Sequence, residues 1–192
     1  FNGKMQETLR MLADQVGVAF RSVRAVEEYE ALNLASITAL TRTVDAKSKW
    51  TAGHSERVAE LSERIAESAG LSEMDRKKVR ISALLHDIGK IGVSEQILDK
   101  PGRLTGEEFA RIKEHPVRGV EILQDLPNYG PVRGGVLSHH ERWDGSGYPE
   151  GLEGDAIPFY ARIIALADVW DAITDDRPYR KGMDFYKAIE FM

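Results

Sequence analysis

Two adjacent histidines, His139 and His140, run directly into a glycine-rich stretch that ends at Gly147-Tyr148-Pro149. A second pair of ligand-type residues, His86 and Asp87, lies upstream in an apolar segment. Imidazole and carboxylate groups are common ligands of catalytic metal ions, and two such pairs suggest a cluster assembled from several helices. The pattern therefore predicts a metal centre, and it indicates an enzyme that cleaves a phosphate ester.

The other candidate ligands are individually weak. A lone His-Asp pair is more often a core histidine beside a capping aspartate, and His54 or His115 alone would be an ordinary surface or capping residue. Asp168 stands among apolar neighbours, where a metal or an arginine such as Arg162 would satisfy its charge. All five histidines of the chain nevertheless fall in one set. The candidate ligands are His54, His86, Asp87, His115, His139, His140 and Asp168.

The candidate ligands offer nitrogen and oxygen atoms, and the chain contains no cysteine. Such a set suits iron, manganese, nickel, cobalt or catalytic zinc, and it disfavours calcium. Seven ligands are too many for one ion and suit two. Two ions about 3.5–4 Å apart can activate water and grip phosphoryl oxygens. We therefore expect two divalent metal ions per chain, with iron or manganese foremost and nickel, cobalt or zinc as alternatives.

The composition and net charge limit the kinds of partner that we expect the chain to bind. Its 192 residues are 42% apolar and 30% charged, which suits one globular domain plus an appendage. No apolar run of about 18 residues occurs, so we expect no membrane contact. A net charge of −5 disfavours nucleic-acid polymers. The absence of cysteine is compatible with the cytoplasm, where we place the protein. The chain opens on Phe1 and stops at Met192, so we expect it to be a segment of a longer protein, truncated at its C-terminus.

Helical periodicity dominates the sequence, and no convincing run of alternating strand residues appears, which predicts an all-α fold. Ser72 and Thr105 are each followed three residues later by an acid, a pattern typical of helix N-termini. After Glu141, glycines and prolines from Gly145 to Pro158 predict a long irregular loop, the glycine loop, and such loops are often functional. The predicted helices cover residues 55–69, 72–89, 129–140 and 159–174, and a loop covers 92–102.

A separate pattern marks the first part of the chain. From Met5 to Val44, apolar residues follow a 4-3-4-3 spacing, with polar interruptions at Glu30 and Asn33. The residues of this apolar seam are Met5, Leu9, Leu12, Val16, Ala19, Val23, Val26, Ile37, Leu40 and Val44. This spacing is typical of a coiled coil, although one long helix packed on its own domain is the alternative. We expect residues 1–48 to form a linker helix that pairs two copies of the chain, and residues 49–192 to form the catalytic domain.

From about residue 45 onward the chain resembles the HD-GYP domain, a subclass of HD-superfamily phosphohydrolases. Its first helix also resembles the last helix of a GAF sensory domain, which would make residues 1–48 a signalling linker. The HD-GYP motifs are Thr51-Ala-Gly-His-Ser-Glu-Arg-Val, His86-Asp-Ile-Gly-Lys-Ile-Gly-Val, Leu98-Asp-Lys-Pro-Gly-Arg-Leu, His115, residues 139–149, Ala167-Asp168-Val169 and Arg177-Pro-Tyr-Arg180.

The resemblance implies an HD-type helical domain that hydrolyses cyclic di-GMP to linear pGpG or to GMP. It implies that Asp87 bridges two metals, and that Lys90, one helical turn from His86, steadies the scissile phosphate. The remaining implied roles are first-metal ligands His54, His86 and Asp168, second-metal ligands His115, His139 and His140, and substrate contacts by Gly147, Tyr148, Arg177 and Arg180.

One position departs from part of the family. Some members carry a glutamate four residues before the first metal histidine and bind a third metal, but this chain has Trp50 there. We therefore expect two metals, and this departure bears on the ease of the second hydrolysis, from pGpG to GMP. Two other functions stay open: a catalytically idle cyclic-dinucleotide sensor, and an HD-type phosphohydrolase acting on mononucleotides. The complete ligand set with Lys90 argues against the first, and the glycine loop with Arg177 and Arg180 argues against the second.

Overall fold

The computed structural model describes residues 3–48, 51–126, 129–175 and 181–191. Regular structure in these ranges is helical apart from one isolated bridge between Asp144 and Glu153, which confirms the all-α prediction. The α-helices are α1 Gly3–Asp45, α2 His54–Ser68, α3 Glu73–Leu85, α4 Glu95–Leu98, α5 Gly106–Lys113, α6 His115–Ile122, α7 Gly130–Ser138, α8 Phe159–Thr174 and α9 Phe185–Phe191. Two 3₁₀ helices cover Ile88–Gly92 and Gly154–Ala156.

The chain divides into two compact units, one ending at Ser36 and one beginning at Ile37. The described part of the first unit is a single stretch of α1, and its apolar seam is exposed, as at Val16. The second unit contains the other helices. The predicted division after residue 48 and the predicted pairing of two copies both stay predictions. No helix in the described ranges combines the length and apolar character needed to cross a membrane.

The core of the second unit forms where α2, α3, α7 and α8 pack together. Helix α8 is its most apolar element, and Ala161, Ile164 and Ala167 on it are fully buried. Gly135 lets α7 approach α3, because a Cβ atom at this position would lie 2.1 Å from Ser82 Oγ. Gly135 thus serves close helix packing, and α7 forms in spite of the low helical propensity of Gly134 and Gly135.

Local signals located several helix ends correctly. The Ser72 side chain accepts a hydrogen bond from the Asp75 amide at the start of α3. At the start of α5, Thr105 and Glu108 form a reciprocal capping box. The predicted helix over 159–174 is confirmed at both ends. The predicted loop over 92–102 contains the short helix α4, and α7 ends two residues before residue 140.

The prediction that one helix runs to about Gly89 and carries His86 and Asp87 is wrong. Helix α3 ends at Leu85, His86 is its C-cap, and Asp87 precedes the 3₁₀ helix. At this point the backbone closely approaches α6, since a Cβ atom on Gly89 would lie 1.9 Å from the His115 carbonyl oxygen. The two ligand residues therefore sit at a helix end, where the chain changes direction.

Candidate metal centre

All five histidines lie at helix ends. His54 begins α2, directly after Gly53, whose φ of 71° is the left-handed conformation that glycine adopts without strain. His86 and His139 are the C-caps of α3 and α7, His140 follows, and His115 begins α6. Their rings converge: the centroid distances are 5.3 Å for His54–His86, 5.0 Å for His86–His139, 5.2 Å for His115–His139 and 4.1 Å for His139–His140.

Backbone contacts set the orientation of three imidazole rings. In each, Nδ1 lies 2.7 Å from the carbonyl oxygen three residues earlier: His86 with Ala83, His115 with Ile112, and His139 with Val136. A carbonyl oxygen can only accept, so each Nδ1 carries the proton and donates it. In the neutral ring, Nε2 is then left with a free lone pair, as a metal ligand requires.

The ligand atoms form two groups, each with all its atoms within 4.8 Å of one another. One group contains Asp87, His115, His139 and His140, and the other contains His54, His86 and Asp87. Asp87 belongs to both. Asp168 Oδ1 lies 3.3 Å from His54 Nε2, so it adjoins the second group. The structure therefore brings all seven candidate ligands together, with Asp87 between two groups of donors.

Unsatisfied atoms at the centre fit divalent cations. His86 Nε2 and Asp87 Oδ1 are buried and have no hydrogen-bond partner in the part of the chain that the structure describes. His115 Nε2 lies 3.2 Å from both Asp87 Oδ1 and His139 Nε2. Because the His115 and His139 protons are on Nδ1, the Nε2 lone pair of His115 points toward the lone pairs of Asp87 Oδ1 and His139 Nε2, and no proton lies between them. Leaving such groups buried and unpaired costs about 1–3 kcal/mol each, and metal ions between them would remove that cost.

For most of the candidate ligands, the pKa shifts favour the protonation state that binds a metal ion. Burial holds the pKa of His139 well below its ordinary value and lowers the pKa of His140 to about 4. Burial opposes the ionisation of Asp87, but the nearby His86 and Lys90 outweigh it and hold the pKa well below the usual range. Burial likewise opposes ionisation of Asp168, and the hydrogen bond with His54 lowers its pKa overall. Neutral imidazoles beside ionised carboxylates suit metal binding.

His54 differs from the other histidines because carboxylates surround it. Burial lowers its pKa, but hydrogen bonds with Asp168 and Asp171 outweigh that effect and raise the pKa to about 10. Asp171 Oδ2 lies 2.7 Å from His54 Nδ1, and Arg57 Nε donates to Asp171 Oδ1 at 2.6 Å. The sequence analysis missed Asp171. Its only sequence signal is a second acid three residues after Asp168 on an apolar helix.

Lys90 contacts the shared carboxylate. Its ammonium donates to Asp87 Oδ2 at 2.5 Å from the 3₁₀ helix. Another lysine, Lys47, lies just beyond the end of α1 and donates to the carbonyl oxygens of Ile91 and Val93 at 2.5 and 2.6 Å. Lys47 therefore caps the turn that carries Lys90, and the sequence analysis did not identify this role.

Comparison with known proteins identifies the family. A family model described as an HD domain matches residues 38–192. The chain belongs to the HD domain family. It is 46% identical over 156 residues to the 3′3′-cGAMP-specific phosphodiesterase 3 of Vibrio cholerae, covering 81% of this chain and 34% of that protein. It is 44% identical over 164 residues to a cyclic di-GMP phosphodiesterase of Thermotoga maritima, covering 84% of this chain and 44% of that protein.

A solved structure supports the fold of this HD domain. The crystal structure of a cyclic GMP-AMP-specific phosphodiesterase of Vibrio cholerae matches with a TM-score of 0.63 and 22% identity, over 81% of this chain and 42% of that one. The resemblance to HD-GYP phosphohydrolases is therefore confirmed. The chain spans less than half the length of each of these relatives.

In this HD domain, the glycine loop folds back beside the candidate metal centre. The ring of Tyr148 stacks on the imidazole of His140, with 4.8 Å between centroids. A Cβ atom on Gly147 would lie 2.3 Å from the Arg142 amide nitrogen, so the loop can close only with glycine there. The buried Glu141 carboxylate accepts three backbone N–H groups, from Glu150 at 2.7 Å and from Gly151 and Leu152 at 3.1 Å. The sequence analysis also missed this anchor.

An open cavity of about 950 Å³ adjoins the candidate metal centre of the HD domain. His139, His140 and Asp168 line it, together with Gly147 and Tyr148 from the loop. The predicted substrate contacts of Gly147 and Tyr148 stay predictions. The other predicted contacts, Arg177 and Arg180, and the Trp50 position lie outside the described residues.

Proposed function

We propose that this chain is the catalytic part of a metal-dependent phosphodiesterase that hydrolyses cyclic di-GMP to linear pGpG, to GMP, or to both. The observation that carries the proposal is the pair of donor groups that share Asp87. His139, His140 and Asp168 from this cluster line an open cavity. Proteins named as phosphodiesterases of cyclic di-GMP and of 3′3′-cGAMP are among the relatives, which supports a cyclic dinucleotide as the substrate class.

The metal assignment rests on the donors described above. His54, His86 and Asp168 would hold one divalent ion, His115, His139 and His140 a second, and Asp87 would bridge them. Two such ions would supply an activated water and a clamp on the phosphoryl oxygens. We propose iron or manganese, because the donors are imidazoles and carboxylates without sulfur.

The chain's own groups would orient the substrate. Lys90 places a positive charge against Asp87, at the edge of the donor groups, where it would stabilise charge developing on the scissile phosphate. Tyr148 and Gly147 would shape the pocket wall, because they line the cavity beside His140. Arg177 and Arg180 are proposed to grip substrate phosphates in bidentate geometry.

We further propose that residues 1–48 are a linker from an upstream sensory domain and residues 49–192 the catalytic domain. A location in the cytoplasm stays a prediction. Binding to nucleic-acid polymers is not part of the proposal, since the net charge is −5.

The test is an activity assay under reducing conditions with manganese or ferrous iron. Cyclic di-GMP and 3′3′-cGAMP would be supplied separately and the products resolved by chromatography. Turnover of cyclic di-GMP is the expected result. Turnover of 3′3′-cGAMP alone would move the assignment to the other cyclic dinucleotide. Binding without turnover of either would leave a catalytically idle sensor.

Asp87→Ala tests the site. It should abolish turnover and lower the metal content from two ions per chain, because it removes the shared ligand. Asp125→Ala is the matched control, since Asp125 is exposed and belongs to neither donor group. An active Asp87→Ala variant would contradict the site assignment, and three metals per wild-type chain would contradict the expectation drawn from Trp50.

A further inference from the structure

We infer that Lys113, held between Phe109 and Tyr148, is an anion-binding subsite for a phosphate of the dinucleotide that lies outside the metal centre. The inference rests on the proposed function for the identity of the substrate. It adds a recognition residue that neither the metal ligands nor the glycine loop supplies.

The position of the ammonium is the first observation. Lys113 Nζ lies 5.0 Å from the ring centroid of Phe109 and 5.0 Å from that of Tyr148. Phe109 is one helical turn earlier on α5, so the helix itself brings it beside Lys113. On the other side, the Tyr148 ring stacks on His140. A single aromatic ring therefore separates the ammonium from a candidate metal ligand.

Lys113 differs from the other cationic residues that line the cavity in the partners of its charge. Three cationic residues line it: Lys113, Arg142 and Arg162. Arg162 donates to Asp155 at 2.8 Å, and Arg142 donates to Ser146 at 2.9 Å with Asp144 3.5 Å away. Within the described ranges, the contacts recorded for the Lys113 ammonium are with the two rings. No carboxylate of the described residues therefore neutralises its charge.

The contacts with the two rings leave the Lys113 ammonium able to bind an anion. The faces of the two rings attract the ammonium and restrict its position, yet they take none of its three N–H groups in a strong hydrogen bond. A phosphoryl oxygen is a far better acceptor, and a charge-assisted bond to it would form without breaking an ion pair. A group held in place before binding also loses less freedom on binding.

The cavity has room for a second phosphate. Its volume of about 950 Å³ lies near the upper end of ligand pockets. A cyclic dinucleotide carries two phosphodiesters, and only one can be cleaved at the metal centre at a time. The other extends from the centre, and Lys113 faces the same cavity from beyond Tyr148. Its role is thus recognition, and the chemical step does not depend on it.

The Lys113→Gln variant tests whether Lys113 contributes to substrate binding or to the chemical step. The KM for cyclic di-GMP should rise about tenfold, with kcat changed less than about twofold, as expected for loss of one charge-assisted hydrogen bond. With bis(4-nitrophenyl) phosphate, which has a single phosphodiester, kcat/KM should stay unchanged. Lys113→Arg should recover part of the loss because it restores the charge.

Arg111→Gln is the matched control, because Arg111 lies on the same helix, is exposed and does not line the cavity. It should leave both substrates unaffected. Metal content and thermal unfolding of each variant would exclude a folding defect as the cause. If Lys113→Gln and Arg111→Gln behave alike on cyclic di-GMP, the inference is overturned. An equal loss on bis(4-nitrophenyl) phosphate would also overturn it, since Lys113 would then act at the scissile phosphate.

Calorimetric binding of cyclic di-GMP distinguishes this inference from the proposed function. If the wild type binds without turnover and Lys113→Gln binds about tenfold more weakly, the subsite stands and the enzyme proposal fails. If the wild type turns over cyclic di-GMP and Lys113→Gln keeps its affinity and KM, the enzyme proposal stands and the subsite fails. A wild type that neither binds nor cleaves cyclic di-GMP would refute both.

Discussion

His54 Nδ1 and Asp171 Oδ2 lie 2.7 Å apart, although 117 positions separate the two residues in the sequence. The contact forms because His54 begins α2, Asp171 lies on α8, and these helices pack together. Arg57, one turn further along α2, donates to Asp171 at 2.6 Å and to Asp175 at 2.6 Å. The Asp171 carboxylate is therefore itself held in place, and it orients the imidazole of His54 with Nε2 toward Asp87 and Asp168.

We predict that Asp171→Ala weakens metal binding by about 10- to 100-fold, because a carboxylate that orients a ligand histidine commonly has an effect of this size. Asp171→Asn should have a smaller effect, since the amide oxygen can still accept from Nδ1. The measurement is a competition titration of the apo protein with Mn²⁺ or Co²⁺ against a chromogenic chelator, which does not require turnover. Asp125→Ala serves as the control. Unchanged affinity in Asp171→Ala would mean that His54 is positioned without this carboxylate.

The contact between Glu141 and the glycine loop gives a second prediction. Glu141→Gln should raise the KM for cyclic di-GMP and increase cleavage of the loop in limited proteolysis, because an amide has only one oxygen to accept three backbone N–H groups. Each N–H left unpaired in a buried setting costs about 1–3 kcal/mol. Glu150→Gln makes the same chemical change at an exposed position of the same loop and should alter neither readout. Equal proteolysis of the two variants would argue against the anchor.

Two glycines provide a paired test of the packing around the centre. Gly89→Ala should destabilise the protein by about 1–3 kcal/mol or more, because the new Cβ would lie 1.9 Å from the His115 carbonyl oxygen and 2.7 Å from the Gly119 nitrogen. Gly134→Ala should stabilise it by about 0.5–1 kcal/mol, since it lies inside α7 and the nearest atoms, on Pro158, are 3.7 Å away. Urea unfolding of both variants measures the difference. If both substitutions changed the free energy of unfolding in the same direction, the packing around these two glycines would be contradicted.

The spacing in α1 leads to a prediction about assembly. We expect the chain to dimerise through its first unit, so that Val16→Glu, at a seam position, yields a monomer in sedimentation equilibrium. Val18→Glu is the matched control, because Val18 is off the seam and equally exposed, at 55% against 58% for Val16. It should leave the dimer intact. A monomeric wild type, or equal disruption by both variants, would refute the coiled-coil interpretation.

Local sequence patterns were sufficient for much of the fold. The apolar run over 159–174 determined α8, and the caps at Ser72 and Thr105 determined where α3 and α5 begin. These features involve residues within a turn or two of each other, so periodicity and capping report them directly. The end of α3 at Leu85 was misplaced because it depends on the close approach of Gly89 to α6, a contact between distant segments.

The same distinction applies to the candidate site. The sequence by itself determined the types of ligand, because imidazoles and carboxylates recur at motif spacings and the chain has no cysteine. Only the tertiary structure decided that Asp87 lies between two groups of donors, that Asp171 orients His54, and that Lys113 lies between two rings. Residue types are local properties of the chain. Their partners are set by which helix ends meet, and that follows from packing across the whole second unit.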